Sequence, residues 1–261
     1  MILFDNLNLI IMGLALGLSL PLIGVFVILR KQALLSDALA HVLLLGIALS
    51  LALKINAAAG LFIFALAAGV AIFFIKDKSR VNLDAVVGVF FTASLAVSSL
   101  LIPSEELLET FLGNLENIGR GDVAVSVVLA GFIIVALLGR FREFAFAAFA
   151  PDLAQVDRLK VKKYELAFML ILALGVAVGI KLVGTLLVSA LIIVPAASAK
   201  IFSRQIRAMA VWSMLLGLAS AITGLIYSLK LATPPGPTII LAGSALFFLV
   251  FIFHSLFKIH S

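Results

Sequence analysis

The sequence predicts an all-α membrane protein: one polytopic helical bundle of about nine transmembrane helices. Three observations predict it. Of 261 residues, 64% are hydrophobic and only 12% charged, where soluble domains carry roughly 25% charged residues. The apolar residues form continuous runs, unlike the alternating pattern of an outer-membrane barrel. Between the runs lie short clusters of Lys and Arg, the signature of loops at a membrane surface. A helix then satisfies its own backbone in hydrocarbon.

A span needs about 20 apolar residues, somewhat fewer if discontinuous. The expected spans run roughly 8–29, 37–53, 57–75, 85–102, 123–139, 165–182, 184–202, 208–229 and 237–257. The first run is long enough to cross, has Asp5 and no basic residue before it, and lacks a clear small-residue cleavage site. It is therefore expected to stay as a span and not to be removed as a signal peptide. With the N-terminus outside, 15 of the 19 basic residues fall on the cytoplasmic side. They are Arg30, Lys31, Lys76, Lys78, Arg80, Arg140, Arg142, Arg158, Lys160, Lys162, Lys163, Lys200, Arg204, Arg207 and Lys258. Only Lys54, Arg120, Lys181 and Lys230 fall outside. An odd number of spans puts the C-terminus in the cytoplasm. The net charge of +6 thus reads as topology and lipid-headgroup contact, not as nucleic-acid binding.

In the first span, Gly13, Gly17 and Gly24 allow close helix approach and Pro21 introduces a kink. Asp84 reads as an N-cap at the inner face. Residues 103–122 form an outer segment, acidic through Glu105, Glu106, Glu109 and Glu116. Leu107, Leu108, Phe111, Leu112 and Leu115 give it the pattern of a short amphipathic helix. It either draws cations to an outer mouth, meets a partner protein, or is simply a solvated face. The inner segment, about 143–164, turns polar after Pro151. Ala150-Pro151-Asp152 reads as a turn into a short helix, with Leu153, Val156 and Leu159 at helical spacing. Such an exposed apolar stripe suits docking into a partner's groove; a basic loop at the headgroups is the alternative. Ser189 and Pro195 punctuate the 184–202 span and mark either a kink lining a pathway or close packing. The bend 233–237, TPPGP, joins the last two spans. His254 and His260 read as interfacial.

The chemistry concentrates in Arg30–Leu49, RKQALLSDALAHVLLLGIAL. Asp37 and His41 are four apart, so a helix places them one turn above each other on one face. Ionisable groups inside a membrane are costly and usually face a cavity or pathway. A carboxylate and an imidazole can together ligate a divalent transition metal. The alternative is that Asp37 caps a helix starting there and His41 bonds to a neighbouring helix. With no cysteine, thiolate metal sites and disulfides are excluded. No GxxxxGK[ST] phosphate loop and no HExxH motif occur, so the chain is not expected to hydrolyse ATP or to act as a protease of that type.

Several segments carry a resemblance: RKQALLSDALAH with LLLGIALSL, DAVVGVFFTASLAV, FLGNL, APDLAQVDRLKV, GTLLVSALIIVPAASAK and TPPGPTIILA. In this order, across about the whole chain, they resemble the membrane permease subunits of the manganese/zinc/iron class of ABC importers, most closely the zinc branch. The resemblance implies a type II importer permease fold in the bacterial inner membrane, with residues 1–261 as one permease domain. It implies a homodimer around one path, a dimer of separate ATP-binding subunits inside, and an extracytoplasmic metal-binding protein outside. The cargo would be Zn2+, or Mn2+ or Fe2+, with no permanently bound cofactor. The family's path residues fall on Asp37 and His41. Its ATPase-coupling helix falls on Pro151, Asp152, Leu153, Ala154, Val156 and Asp157, and the family often has a glycine where Arg158 stands. A stand-alone proton-coupled cation carrier is the competing expectation; it would have no need of the exposed 151–160 helix.

Overall fold

The computed structural model describes residues 7–79, 81–101, 119–185 and 188–258, and every regular element among them is a helix. In chain order these are α1 (Leu7–Leu29), α2 (Ala33–Ala52), α3 (Ala57–Lys78), α4 (Leu83–Leu101), α5 (Arg120–Gly139), α6 (Phe141–Phe149), α7 (Pro151–Val156), α8 (Val161–Val183), α9 (Val188–Phe202), α10 (Ile206–Leu231) and α11 (Pro235–Lys258). Each expected span coincides with one long helix. Eight of them are long and apolar enough to cross a membrane. The ninth, α9, has 15 residues, or about 22 Å of helix, short of a ~30 Å hydrocarbon core.

The bundle is built around α1. In its most apolar window 72% of residues are buried, against 11% in α11. It packs on α10, α9, α5 and α8, while α2 lies against α3 and α4, and α11 covers α9 and α10. Small residues make this possible. A side chain at Gly24 would overlap the backbone carbonyl of Ile192 on α9. One at Gly217 on α10 would overlap the Pro21 ring and the Gly17 carbonyl. That carbonyl has no N–H four residues on, because residue 21 is proline. Ser213 Oγ of α10 donates to the Pro21 carbonyl at 2.8 Å, tying the helices across the same break.

Four helices end on a non-glycine residue with left-handed backbone: Lys31 (φ 55°), Lys54 (55°), Arg158 (61°) and Ala232 (50°). After α1, Gln32 N–H reaches the Val27 carbonyl and Lys31 N–H the Ile28 carbonyl, both at 3.0–3.1 Å. This is the Schellman closure, and glycine is its usual residue. At three of the four termini the residue is basic, and a cation there favours the negative end of the helix dipole.

The basic helix ends do gather, as the loop charges suggest. Lys76 of α3 pairs with Glu165 of α8, and Lys162 Nζ lies 2.6 Å from Asp77 Oδ1. The Arg30 guanidinium sits 4.7 Å over the Phe168 ring. Burial there pulls its pKa down to about 10, so it remains a cation at neutral pH.

Some expectations change. Helix α4 starts at Leu83, so Asp84 lies inside the first turn and is not its cap. The TPPGP bend is shorter than expected: α11 already begins at Pro235, and left-handed Ala232 makes the reversal. The acidic stretch 103–118, with Glu105, Glu106, Glu109 and Glu116, lies outside the described residues, as do Arg80 and His260. Residues 119–122 begin α5, where Gly119 N–H donates to Asp122 Oδ2 at 3.1 Å.

Two glycine variants test the packing. Gly24→Ala is expected to cost about 1–3 kcal/mol, the range for overpacking. Gly88→Ala on α4 meets nothing within 4 Å, so helix propensity makes it neutral or about 0.5–1 kcal/mol stabilising. Thermal unfolding of the detergent-solubilised variants decides: equal melting temperatures would refute the close-contact account.

Candidate metal path and coupling helix

Helix α2 begins at Ala33, with Gln32 at its N-cap position making no side-chain cap bond. Asp37 is therefore in the second turn and caps nothing, which removes the capping alternative. One turn on, His41 is 6% exposed, and Asp37 is half-buried. Both side chains leave the same face of α2, as their spacing of four predicts.

The imidazole is held from two directions. Nδ1 lies 3.0 Å from the Asp37 backbone carbonyl. A carbonyl only accepts, so in this arrangement Nδ1 is the donor, and Nε2 is the nitrogen that could ligate a metal. On the other side, the Phe91 ring of α4 packs with its centroid 4.5 Å from that of His41, at an interplanar angle of 58°. Asp37 thus serves twice, its carbonyl orienting His41 and its carboxylate standing one turn away. A backbone hydrogen bond that fixes the tautomer of a metal-binding His is a common supporting arrangement. Among the described residues, however, no group of three or more His, Asp or Glu could hold a metal ion. One chain offers two ligands, enough for transient contact and too few for a closed structural site.

Phe91 escaped the sequence reading. It lies in the DAVVGVFFTASLAV segment, but nothing in its spacing connects it to His41, fifty residues earlier. Only the packing of α4 on α2 does.

The inner segment forms two short helices. Pro151 occupies the first position of α7, where its missing N–H costs nothing, and Asp152 lies in the first turn. Ala154 is fully buried against Ala147 and Val161. Leu153 and Val156 face out, 63% and 82% exposed, and Phe149 at the end of α6 is 73% exposed. The expected stripe is corrected at one end. The helix stops at Val156, and Leu159 folds inward onto the Ala154 cluster. The cause is the turn: Leu159 N–H bonds to the Ala154 carbonyl at 2.9 Å and Arg158 N–H to Gln155 at 3.0 Å. Arg158 takes the left-handed position that favours glycine, and Asp157 is the residue before it.

In α9, Pro195 is buried within the helix and Ser189 is 6% exposed. The Ser189 hydroxyl has no hydrogen-bond partner among the described residues, while Ser198 Oγ returns to the Val194 carbonyl at 2.9 Å. Helix α9 packs on α1, α10, α11 and also α2. His254 of α11 is half-buried.

The left-handed turn yields a test. Arg158→Val puts a β-branched residue at positive φ and is expected to destabilise the 151–160 segment by about 1 kcal/mol or more. Arg158→Gly relieves that strain and is expected to protect the segment at least as well as Arg158. Hydrogen exchange of the 154–159 amides checks the order; protection unchanged in Arg158→Val would refute it.

Comparison with known proteins agrees with this architecture. The model of the ABC 3 transport family matches residues 6–254. The manganese transport system membrane protein MntC of Listeria monocytogenes is 32% identical over 249 residues, covering 94% of this chain and 89% of that one. The high-affinity zinc uptake system membrane protein ZnuB of Haemophilus influenzae is 29% identical, covering 94% of each. Among solved structures, PsaBC from Streptococcus pneumoniae in complex with Fab superposes with a TM-score of 0.83 at 27% identity, over 95% of this chain and 94% of that one. An inward-facing metal-chelate type ABC transporter shares the fold, with a TM-score of 0.75 at 16% identity, over 95% of this chain and 85% of that one. The chain belongs to the ABC 3 transport family, as a multi-pass membrane permease component with no catalytic activity of its own.

Proposed function

We propose that the chain carries a divalent transition metal into the cytoplasm, Zn2+ first, through a path lined by Asp37 and His41 of two copies. The observation that carries this reading is the pair itself. A carboxylate and an imidazole share one face of an apolar helix, with the ring held by the Asp37 carbonyl. Two copies of a two-ligand set would give a four-ligand site of nitrogen and oxygen donors, suited to Zn2+ and its neighbours. Metal would arrive from an extracytoplasmic binding protein. A cytoplasmic ATP-binding dimer would dock on α7 through Leu153 and Val156, beside Pro151, Asp152, Ala154 and Asp157. Ser189 and Pro195 would lie along the path on α9, and the remaining apolar surface would face lipid. Here the orientation given by the basic loops, N-terminus outside and C-terminus inside, is retained.

A second reading, Mn2+ as cargo, is supported by the Listeria relative, which is named for manganese, as Zn2+ is by the Haemophilus relative, which is named for zinc. An Asp/His set holds either, and equilibrium affinity favours zinc over manganese for a given site. Fe2+ falls between the two.

The test is uptake of radioactive zinc and manganese in cells lacking their own importers, with the chain, its ATPase and its binding protein. Zinc uptake that needs an active ATPase is the expected result. Manganese uptake alone would keep the architecture and overturn the metal. Uptake that survives a dead ATPase and collapses with the proton gradient would establish the carrier instead. Asp37→Ala is expected to abolish uptake while the complex still assembles; normal uptake by that variant removes the path role. Leu153→Asp is expected to lower ATPase co-purification and uptake at least tenfold, leaving the permease folded.

A further inference from the structure

We propose that Phe91 is a positioning residue for the metal path: its ring holds the His41 imidazole so that Nε2 is aimed before metal arrives. The inference rests on the reading of Asp37 and His41 given above.

A histidine side chain has two soft torsions, and rotation by a half-turn about the second exchanges a ring nitrogen for a ring carbon. The bond from Nδ1 to the Asp37 carbonyl, 3.0 Å, favours one of these states, but a single hydrogen bond contributes only about 0.5–1.5 kcal/mol. The hydrogen bond chooses between the two flip states, and the Phe91 ring, 4.5 Å away between centroids, restricts tilting of the imidazole plane. Both contacts act on the ring plane and so on the direction of Nε2. Pre-aimed ligands bind with less ordering cost. Metal binding also draws charge from the imidazole, and an aromatic face next to it favours the electron-poor ring.

Phe91 packs on His41 and, like Phe90, against the hydrophobic core. Its helix leans mainly on α2, with a smaller contact to α3, and its outward residues Gly88 and Thr92 are exposed. The position of the ring is therefore set chiefly by the α2–α4 contact. Its neighbour Phe90 is also partly buried, yet stacks on no other ring among the described residues. It provides the control: the same residue type, the same helix, and no ring stacking with the imidazole among the described residues.

The experiment is a Co2+ titration of the purified permease–ATPase complex, read by the visible d–d absorption of the bound ion. Phe91→Leu is expected to weaken Co2+ binding about two- to tenfold, the range of an aromatic pair contact, and to change the absorption envelope. Phe91→Tyr should restore both, and Phe90→Leu should change neither. Phe91→Met, which retains volume but no ring, should behave as Phe91→Leu. If Phe91→Leu and Phe91→Met titrate like wild type, or like Phe90→Leu, the inference is overturned. His41→Ala and Asp37→Ala separate the two levels. Loss of Co2+ absorption in both with no effect at Phe91 overturns the positioning role alone. Unchanged absorption in both overturns the metal-path reading and the positioning role with it.

Discussion

The contact on which the rest depends is the close approach of α1 to α9 and α10. In hydrocarbon, helices gain little from burying apolar surface, because lipid is as apolar as leucine. They associate where backbones can come near and polar groups can pair. Gly24 lets α1 meet the Ile192 carbonyl, and Gly217 lets α10 meet the Pro21 ring. Ser213 then bonds the Pro21 carbonyl at the helix break. Helix α1, which these contacts hold, is the most buried of the candidate spans. It frees α2, α3 and α4 to form the other side, where the ionisable pair lies.

On that side the polar economy is tight. His41 is bonded back to its own helix and stacked against α4, so a buried imidazole is tolerated without a permanent ion. In the proposed path, two ligands per chain would suit passage better than storage. At the basic end, Lys76–Glu165 and Lys162–Asp77 clamp α3 to α8, and Arg30 rests on Phe168. The α6–α7 elbow emerges from this clamped end, with Ala154 buried and Leu153 and Val156 presented outward. In the proposed function, this clamped end would carry force from a partner docked on α7.

Much of this was legible in the sequence. All nine apolar runs became helices, because hydrocarbon leaves the backbone few other options. The Asp37/His41 spacing sufficed to put both on one face, and Ala150-Pro151-Asp152 sufficed to start α7. Where a polar or turn residue was read as a local signal, the reading was weaker. Asp37 and Asp84 looked like caps, but both lie inside their helices; the α1–α2 turn at Lys31 lets α2 begin four residues before Asp37. Leu159 looked like part of an exposed stripe, but Arg158 turned it inward. Neither left-handed turn has the glycine that would have announced it.

The sequence by itself determined the class, the rough limits of the nine apolar helices, the pairing of Asp37 with His41 and the place of the exposed inner helix. These follow from hydropathy, charge and helical period, all of which act along the chain. Only the tertiary structure decided that α1 is the hub, that Phe91 lies against His41 across fifty residues, and that Leu159 is covered. Those depend on which surfaces meet, and in a bundle whose helices are apolar on every side, periodicity does not mark the inward face. Small residues and a few hydrogen bonds choose it.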